Sequence, residues 1–272
     1  VPVLKSFAGG CLFGGTWGAG VPSILALHGW QRTHADFRAV FADDGPGVGP
    51  GTCSALAPDL FGFGATPPPP EPWGSEEYAR HLLPLFEESG ALADRVVVVG
   101  HSFGGRVAVH LHALVPDRFE RLVLTGVPLL DRRGRRSRPV AAYRVVRRLH
   151  ALGMVGEQRM EAARQRYGSP DYRAAQGVMR GVFVRLLAEQ YADLLPAISC
   201  PVDLVWGAED SEVPVEVAER ARPLFPEARL VTLPGIGHLV PTEAPAELRR
   251  IVSGPGGGGR SPNALDDPTG AR

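Results

Sequence analysis

One serine in this 272-residue chain stands in a setting that can make it react. Gly100-His101-Ser102-Phe103-Gly104 has the spacing G-x-S-x-G and lies between the apolar run Val96-Val97-Val98-Val99 and a helical pattern over residues 103–115. Spacing alone is weak: with 34 glycines in the chain, a chance match arises in roughly one such sequence in five. The context is more specific. A nucleophile on a sharp strand-to-helix turn is held at strained φ/ψ, and small flanking residues let the turn close. Such a turn lifts the hydroxyl above the sheet and aims the first N–H groups of the helix, with its positive dipole end, at the reacting centre. A serine hydroxyl is a poor nucleophile unless a base, most often histidine, takes its proton. The base in turn needs a carboxylate to fix its tautomer and stabilise the imidazolium. His238, after Pro234-Gly235-Ile236-Gly237, is the candidate base, and Glu209 and Asp210 are neighbouring candidate acids. The chemistry these residues support is acyl transfer to serine.

Three residues so far apart meet only if the fold gathers them. Apolar runs at residues 23–28, 53–57, 95–99, 121–125, 202–206 and 229–233 read as strands. They are apolar throughout rather than alternating, which suits a parallel sheet covered on both faces. Amphipathic patterns over residues 35–42, 75–88, 103–115, 215–224 and 243–252 lie between and after them. Alternating strands and helices imply right-handed crossovers and a doubly wound α/β sheet. The carboxyl ends of parallel strands share one edge, where distant residues converge. Residues 4–8 and 11–13, around Gly9-Gly10, predict an antiparallel hairpin at the sheet edge. Residues 129–196 carry no strand signal, only helical patterns and arginine-rich stretches, and are too long for an ordinary connection. We therefore expect a core made of residues 1–128 and 197–252, an inserted helical cap over 129–196, and a disordered Gly/Pro-rich tail over 253–272.

Five pieces now stand in a telling order: Leu27-His28-Gly29-Trp30, Ala57-Pro58-Asp59-Leu60-Phe61-Gly62-Phe63-Gly64, the turn at Ser102, Trp206-Gly207-Ala208-Glu209-Asp210, and Pro234-Gly235-Ile236-Gly237-His238. In this order the chain resembles a cap-bearing serine α/β-hydrolase over essentially residues 4–252. The resemblance implies a mostly parallel α/β-hydrolase sheet, and the chain order Ser102, Asp210, His238 for the triad. It places the acid three residues after Gly207, favouring Asp210 over Glu209. It also implies an oxyanion hole from the backbone N–H groups of Phe103 and Trp30. Trp30 can serve as a packing aromatic at the same time, since only its backbone is required, and His101 reads as structural. An acid on the strand after the turn helix is the weaker option, because that position reads Gly126-Val127-Pro128. The expected activity is hydrolysis of an ester or related acyl bond, carboxylesterase-like. C–C bond hydrolysis and cofactor-free haloperoxidase or perhydrolase chemistry are rival enzyme readings; a triad-bearing small-molecule receptor is the rival from another class.

Composition sets the outer limits. The 29 basic residues balance 29 acidic ones, which gives no electrostatic reason to expect nucleic acid or an anionic membrane as partner. No apolar run approaches the roughly 20 residues of a membrane span. Cys11, Cys53 and Cys200 are scattered, form no CxxC and suggest neither a disulfide framework nor a zinc site. No secretory pattern opens the sequence given, so we expect a soluble cytoplasmic protein with a small-molecule substrate and no cofactor or metal. Only Lys5 among the basic residues is lysine. The arginine cluster over residues 132–138 thus reads as a solvated cap face in an arginine-biased chain rather than an anion funnel. Arg180 and Arg185, in a more apolar helical stretch, are candidates to hold a substrate carboxylate.

Overall fold

The computed structural model describes residues 4–42, 54–130, 141–167 and 170–254. Eight strands form one sheet: β1 (Leu4–Phe7), β2 (Leu12–Trp17), β3 (Ile24–Leu27), β4 (Ala55–Asp59), β5 (Val96–His101), β6 (Phe119–Thr125), β7 (Val202–Gly207) and β8 (Ala228–Leu233). Their spatial order is β1-β2-β4-β3-β5-β6-β7-β8. The expected hairpin is the antiparallel β1–β2 pair at the edge, and β2 continues antiparallel onto β4. From β4 onward every neighbour is parallel.

The continuous apolar runs have their cause in the packing. Along β5, Val96 and Val98 point into one core cluster while Val97 and Val99 point into the other, on the opposite face of the sheet. The first cluster takes Tyr78 and Leu82 from the Ser75–Leu82 helix and Val107 and Leu111 from the Phe103–Leu114 helix. The second takes Phe37, Val40 and Phe41 together with Leu248 and Ile251 of the Pro245–Ser253 helix. A strand covered on both sides gains from apolar side chains at every position.

Proline redraws several expected boundaries. The pattern over 75–88 is two helices, Ser75–Leu82 and Pro84–Glu87, because Pro84 has no N–H to continue the first. Pro223 acts in the same way on the pattern over 215–224, which is the helix Val215–Ala221 followed by the 3-10 turn Arg222–Leu224. The pattern over 243–252 is likewise Val240–Glu243 and then Pro245–Ser253, with Pro245 opening the second helix. The pattern over 35–42 has no proline and divides differently: a 3-10 turn, His34–Phe37, runs into the short helix Arg38–Phe41.

Between β6 and β7 the described residues hold no strand. They form the helices Ala141–Ala151, Glu157–Tyr167, Pro170–Ala174 and Gly177–Ala188. The last of these places Val182 and Leu186 in the first core cluster. The arginine cluster over 132–138, Cys53 and the tail from residue 255 lie outside the described residues, while Ser253 ends the final helix. The chain runs from β3 outward to β4 and then returns to β5 on β3's other side. The crevice of a doubly wound sheet opens at such a reversal, beyond the carboxyl ends of the strands. Here those ends carry His28-Gly29-Trp30 and His101-Ser102.

Candidate active site

Ser102 occupies the turn between β5 and the Phe103–Leu114 helix with φ 47° and ψ −108°, a backbone state that L-residues rarely adopt. Its N–H donates to the Thr125 carbonyl of β6 at 2.8 Å, which ties the turn to the neighbouring strand. The Gly105 and Arg106 N–H groups both return to the Ser102 carbonyl. The N–H groups of Phe103 and Gly104 therefore precede the first of these helical bonds, at the positive end of the helix. Close packing explains the glycine at 104: a Cβ there would lie 2.1 Å from the Leu27 carbonyl oxygen of β3.

The acid and the base come from the ends of β7 and β8, which the backbone binds together. Ala208 N–H donates to the Leu233 carbonyl and Glu209 N–H to the Ile236 carbonyl, each at 2.9 Å. This brings His238 against Asp210, whose Oδ2 accepts from His238 Nδ1 at 2.8 Å. The other oxygen, Oδ1, accepts from the N–H groups of Glu212 at 2.9 Å and Val213 at 2.7 Å. Trp206 fastens the same loop by donating its indole N–H to the Val213 carbonyl at 2.7 Å. Asp210 is buried and partnered through both oxygens; Glu209, its neighbour, is exposed. With Nδ1 donating to Asp210, the free nitrogen of neutral His238 is Nε2, the one that can accept a proton.

Two buried histidines support the crevice without facing the reaction as bases. His28 Nδ1 donates to the Gly29 carbonyl at 2.8 Å and its Nε2 accepts from Leu60 N–H at 2.9 Å, joining the ends of β3 and β4. Burial pushes its pKa down to about 4. His101 is bonded through Nδ1 to Thr125 Oγ1 at 2.9 Å, and burial, with His238 nearby, pushes it down to about 3. Both are neutral scaffolding groups near neutral pH. Trp30 packs edge-on against Phe63 and Phe103, with ring centroids 5.0 Å and 5.8 Å away, and tilted against Phe183. Its Gly29–Arg32 turn is closed by Arg32 N–H donating to the Gly29 carbonyl.

Ser102, His238, Trp30 and Phe103 line one cavity of about 500 Å³, and Asp210 stands behind His238. Arg180 and Arg185 do not line it. Arg180 donates to Glu161 at 2.6 Å, and Arg185 to Glu77 and to the Pro72 carbonyl, also at 2.6 Å. Carboxylates and carbonyls already on the protein hold both guanidiniums. The charged groups that do line the cavity, Arg32, Arg106, Asp171 and Glu212, were not singled out from the sequence. For Arg106 a signal was present: it lies four residues, about one helical turn, beyond Ser102. Among the described residues, no group of three or more His, Cys, Asp or Glu side chains is arranged to hold a metal, and no helix is long and apolar enough to cross a membrane.

Comparison with known proteins agrees with this architecture. A pimeloyl-[acyl-carrier protein] methyl ester esterase of Aromatoleum aromaticum is 28% identical, over 80% of this chain and 91% of its own. An uncharacterized protein of Mycobacterium tuberculosis is 27% identical, over 85% of this chain and 74% of its own. A thermophilic esterase from Thermogutta terrifontis shares the fold with a TM-score of 0.63 and 23% identity, covering 93% of this chain and 96% of that one. The sequence model of the alpha/beta hydrolase family matches residues 24–251, and with that span of match the chain belongs to the alpha/beta hydrolase family.

Proposed function

We propose that this chain is a serine hydrolase of carboxylesterase type, with Ser102 as nucleophile, His238 as general base and acid, and Asp210 as the orienting carboxylate. The observation that carries the reading is the His238–Asp210 couple, bonded at 2.8 Å, whose His238 lines the same cavity as a serine held at φ 47°. Ser102 Oγ attacks the ester carbonyl as His238 Nε2 takes its proton. The Phe103 and Trp30 N–H groups stabilise the oxyanion as fixed dipoles. Collapse breaks the carbonyl–alkoxy bond, and His238 returns the proton to the departing alcohol. Water, deprotonated in turn by His238, then attacks the acyl-enzyme and releases the acid. The helices between β6 and β7 act as a lid that positions the acyl group and limits water. A ladder of p-nitrophenyl esters of rising chain length, run beside fluorophosphonate labelling, tests this. Turnover with label on Ser102, and none in Ser102→Ala, is the expected result; label on another residue with Ser102 untouched would overturn it.

A further inference from the structure

The cavity wall carries a cation, Arg106, that makes no ion pair with a carboxylate among the described residues. Arg106 projects from the Phe103–Leu114 helix one turn after Ser102, and side chains on a helix lean toward its N-terminus, here toward the serine. The guanidinium donates one N–H to the Leu186 carbonyl and lies over the Tyr191 ring, 5.6 Å from its centroid. Arg32 on the same cavity differs, for both oxygens of Asp36 hold it at 2.7 Å. Arg106, Pro128, Leu186 and Leu187 also line a second cavity of about 130 Å³, so the Arg106 side chain borders both spaces. Glu189 borders that smaller space, but its oxygens accept from Ser75 and Tyr191 and not from Arg106.

Two carboxylates, Asp171 and Glu212, line the larger cavity as well. Glu212 Oε2 is 3.6 Å from His238 Nε2, the atom that hands a proton to the leaving alcohol. A carboxylate there disfavours an anionic leaving group. An anion on the acyl side meets Arg106 instead, which presents several donors in a planar fork that suits carboxylate.

Resting on the serine hydrolase reading above, we infer that Arg106 is a specificity-determining residue that selects esters whose acyl chain ends in a carboxylate. The acyl chain lies along the cavity from Ser102, with its far carboxylate on the guanidinium and its methylenes against Leu186 and Leu187.

The test compares mono-p-nitrophenyl half-esters of dicarboxylic acids, such as adipic and suberic acid, with p-nitrophenyl esters of neutral acids of matched length. Wild type, Arg106→Gln and Arg106→Lys are assayed, each with fluorophosphonate labelling of Ser102. The ratio of kcat/KM for half-ester over neutral ester should fall about 10- to 100-fold in Arg106→Gln, mainly through KM, as expected for losing a charged hydrogen bond. Arg106→Lys should recover part of it. An equal loss on both ester types in Arg106→Gln would overturn the inference, as would a wild type with no half-ester preference at any length. The wild-type length series and Arg106→Lys decide the matter if Arg106→Gln does not fold. A labelled wild type without anion preference refutes this inference alone; a wild type that neither labels nor turns over any ester refutes the hydrolase reading beneath it.

Discussion

Asp210 and Glu209 are adjacent carboxylates with opposite surroundings, and this difference is chemical as well as spatial. Asp210 accepts from two backbone N–H groups through one oxygen and from His238 through the other, so its orientation is fixed before any substrate arrives. Glu209 contributes its backbone to the Ile236 carbonyl and leaves its side chain exposed. Asp210→Asn should therefore misorient His238 and lower kcat by about 10⁴, the size of effect known for an orienting triad carboxylate. Glu209→Gln should change kcat by less than about threefold, in line with small effects at exposed sites. Steady-state rates on one p-nitrophenyl ester decide between them, and reversed effects would move the acid to Glu209. The serine, the histidine and the pair of acids were readable from the sequence because strand-end position and residue type narrow the choices. Arg106 carried only the fainter signal of lying about one helical turn beyond Ser102. Arg180 and Arg185 lay in an apolar helical stretch and invited the inward reading, but a one-dimensional pattern does not reveal that Glu161 and Glu77 are waiting for them.

Elements hold these residues by contact at strand ends, and the case that touches His238 is Gly126, immediately after β6. Its φ is 59°, and a Cβ there would lie 2.8 Å from His238 Cε1 and 2.9 Å from Nδ1. Gly126→Ala would meet backbone strain and the imidazole together. We expect a kcat loss of at least about tenfold, since a 1 Å displacement of a reacting group can cost about 10², with a melting temperature lowered by a few degrees. Wild-type kcat in this variant would show that the imidazole does not depend on that space. The helical insertion is held differently. Glu189, just after the Gly177–Ala188 helix, accepts from the Ser75 N–H at 2.7 Å and from the Ser75 and Tyr191 hydroxyls. A carboxylate at the first turn of the Ser75–Leu82 helix also meets its positive dipole end. Arg185 makes a half-exposed ion pair with Glu77 nearby. Glu189→Gln should thus destabilise by about 1–3 kcal/mol, and Arg185→Ala by less than about 1 kcal/mol. Hydrogen exchange should quicken in both helices in the first variant; equal effects in the two would contradict this ranking. The strands of the parallel sheet were legible because burial on both faces writes uninterrupted apolar runs; their order in the sheet was not. Helix ends were less so, because Pro84 and Pro245 divide amphipathic patterns without changing their periodicity.

Across the whole molecule, the buried histidines make folding stability depend on pH. His28 uses Nδ1 as donor and Nε2 as acceptor from Leu60 N–H, so protonating Nε2 would set two donors against each other. Its folded pKa of about 4, lowered by burial, lies below the 6.5 of an unperturbed histidine. His101, at about 3, is shifted the same way, and burial lowers His110 and His112 as well. A depressed histidine pKa means that the unfolded chain binds protons first as the pH falls. The stabilising contribution is complete above about pH 6.5 and is lost progressively below it, down to the folded pKa. For His28 alone, each pKa unit corresponds to about 1.4 kcal/mol, so the loss by pH 4 is of order 3 kcal/mol. Chemical denaturation followed from pH 8 to pH 4.5 should show stability level near neutrality and falling below about pH 6.5. His28→Gln removes the titrating ring, so that variant should be less stable at pH 8 yet lose less on acidification. A variant with the same acid slope as wild type would show that His28 does not carry this share of the dependence, and would shift it to His101 and the other buried histidines.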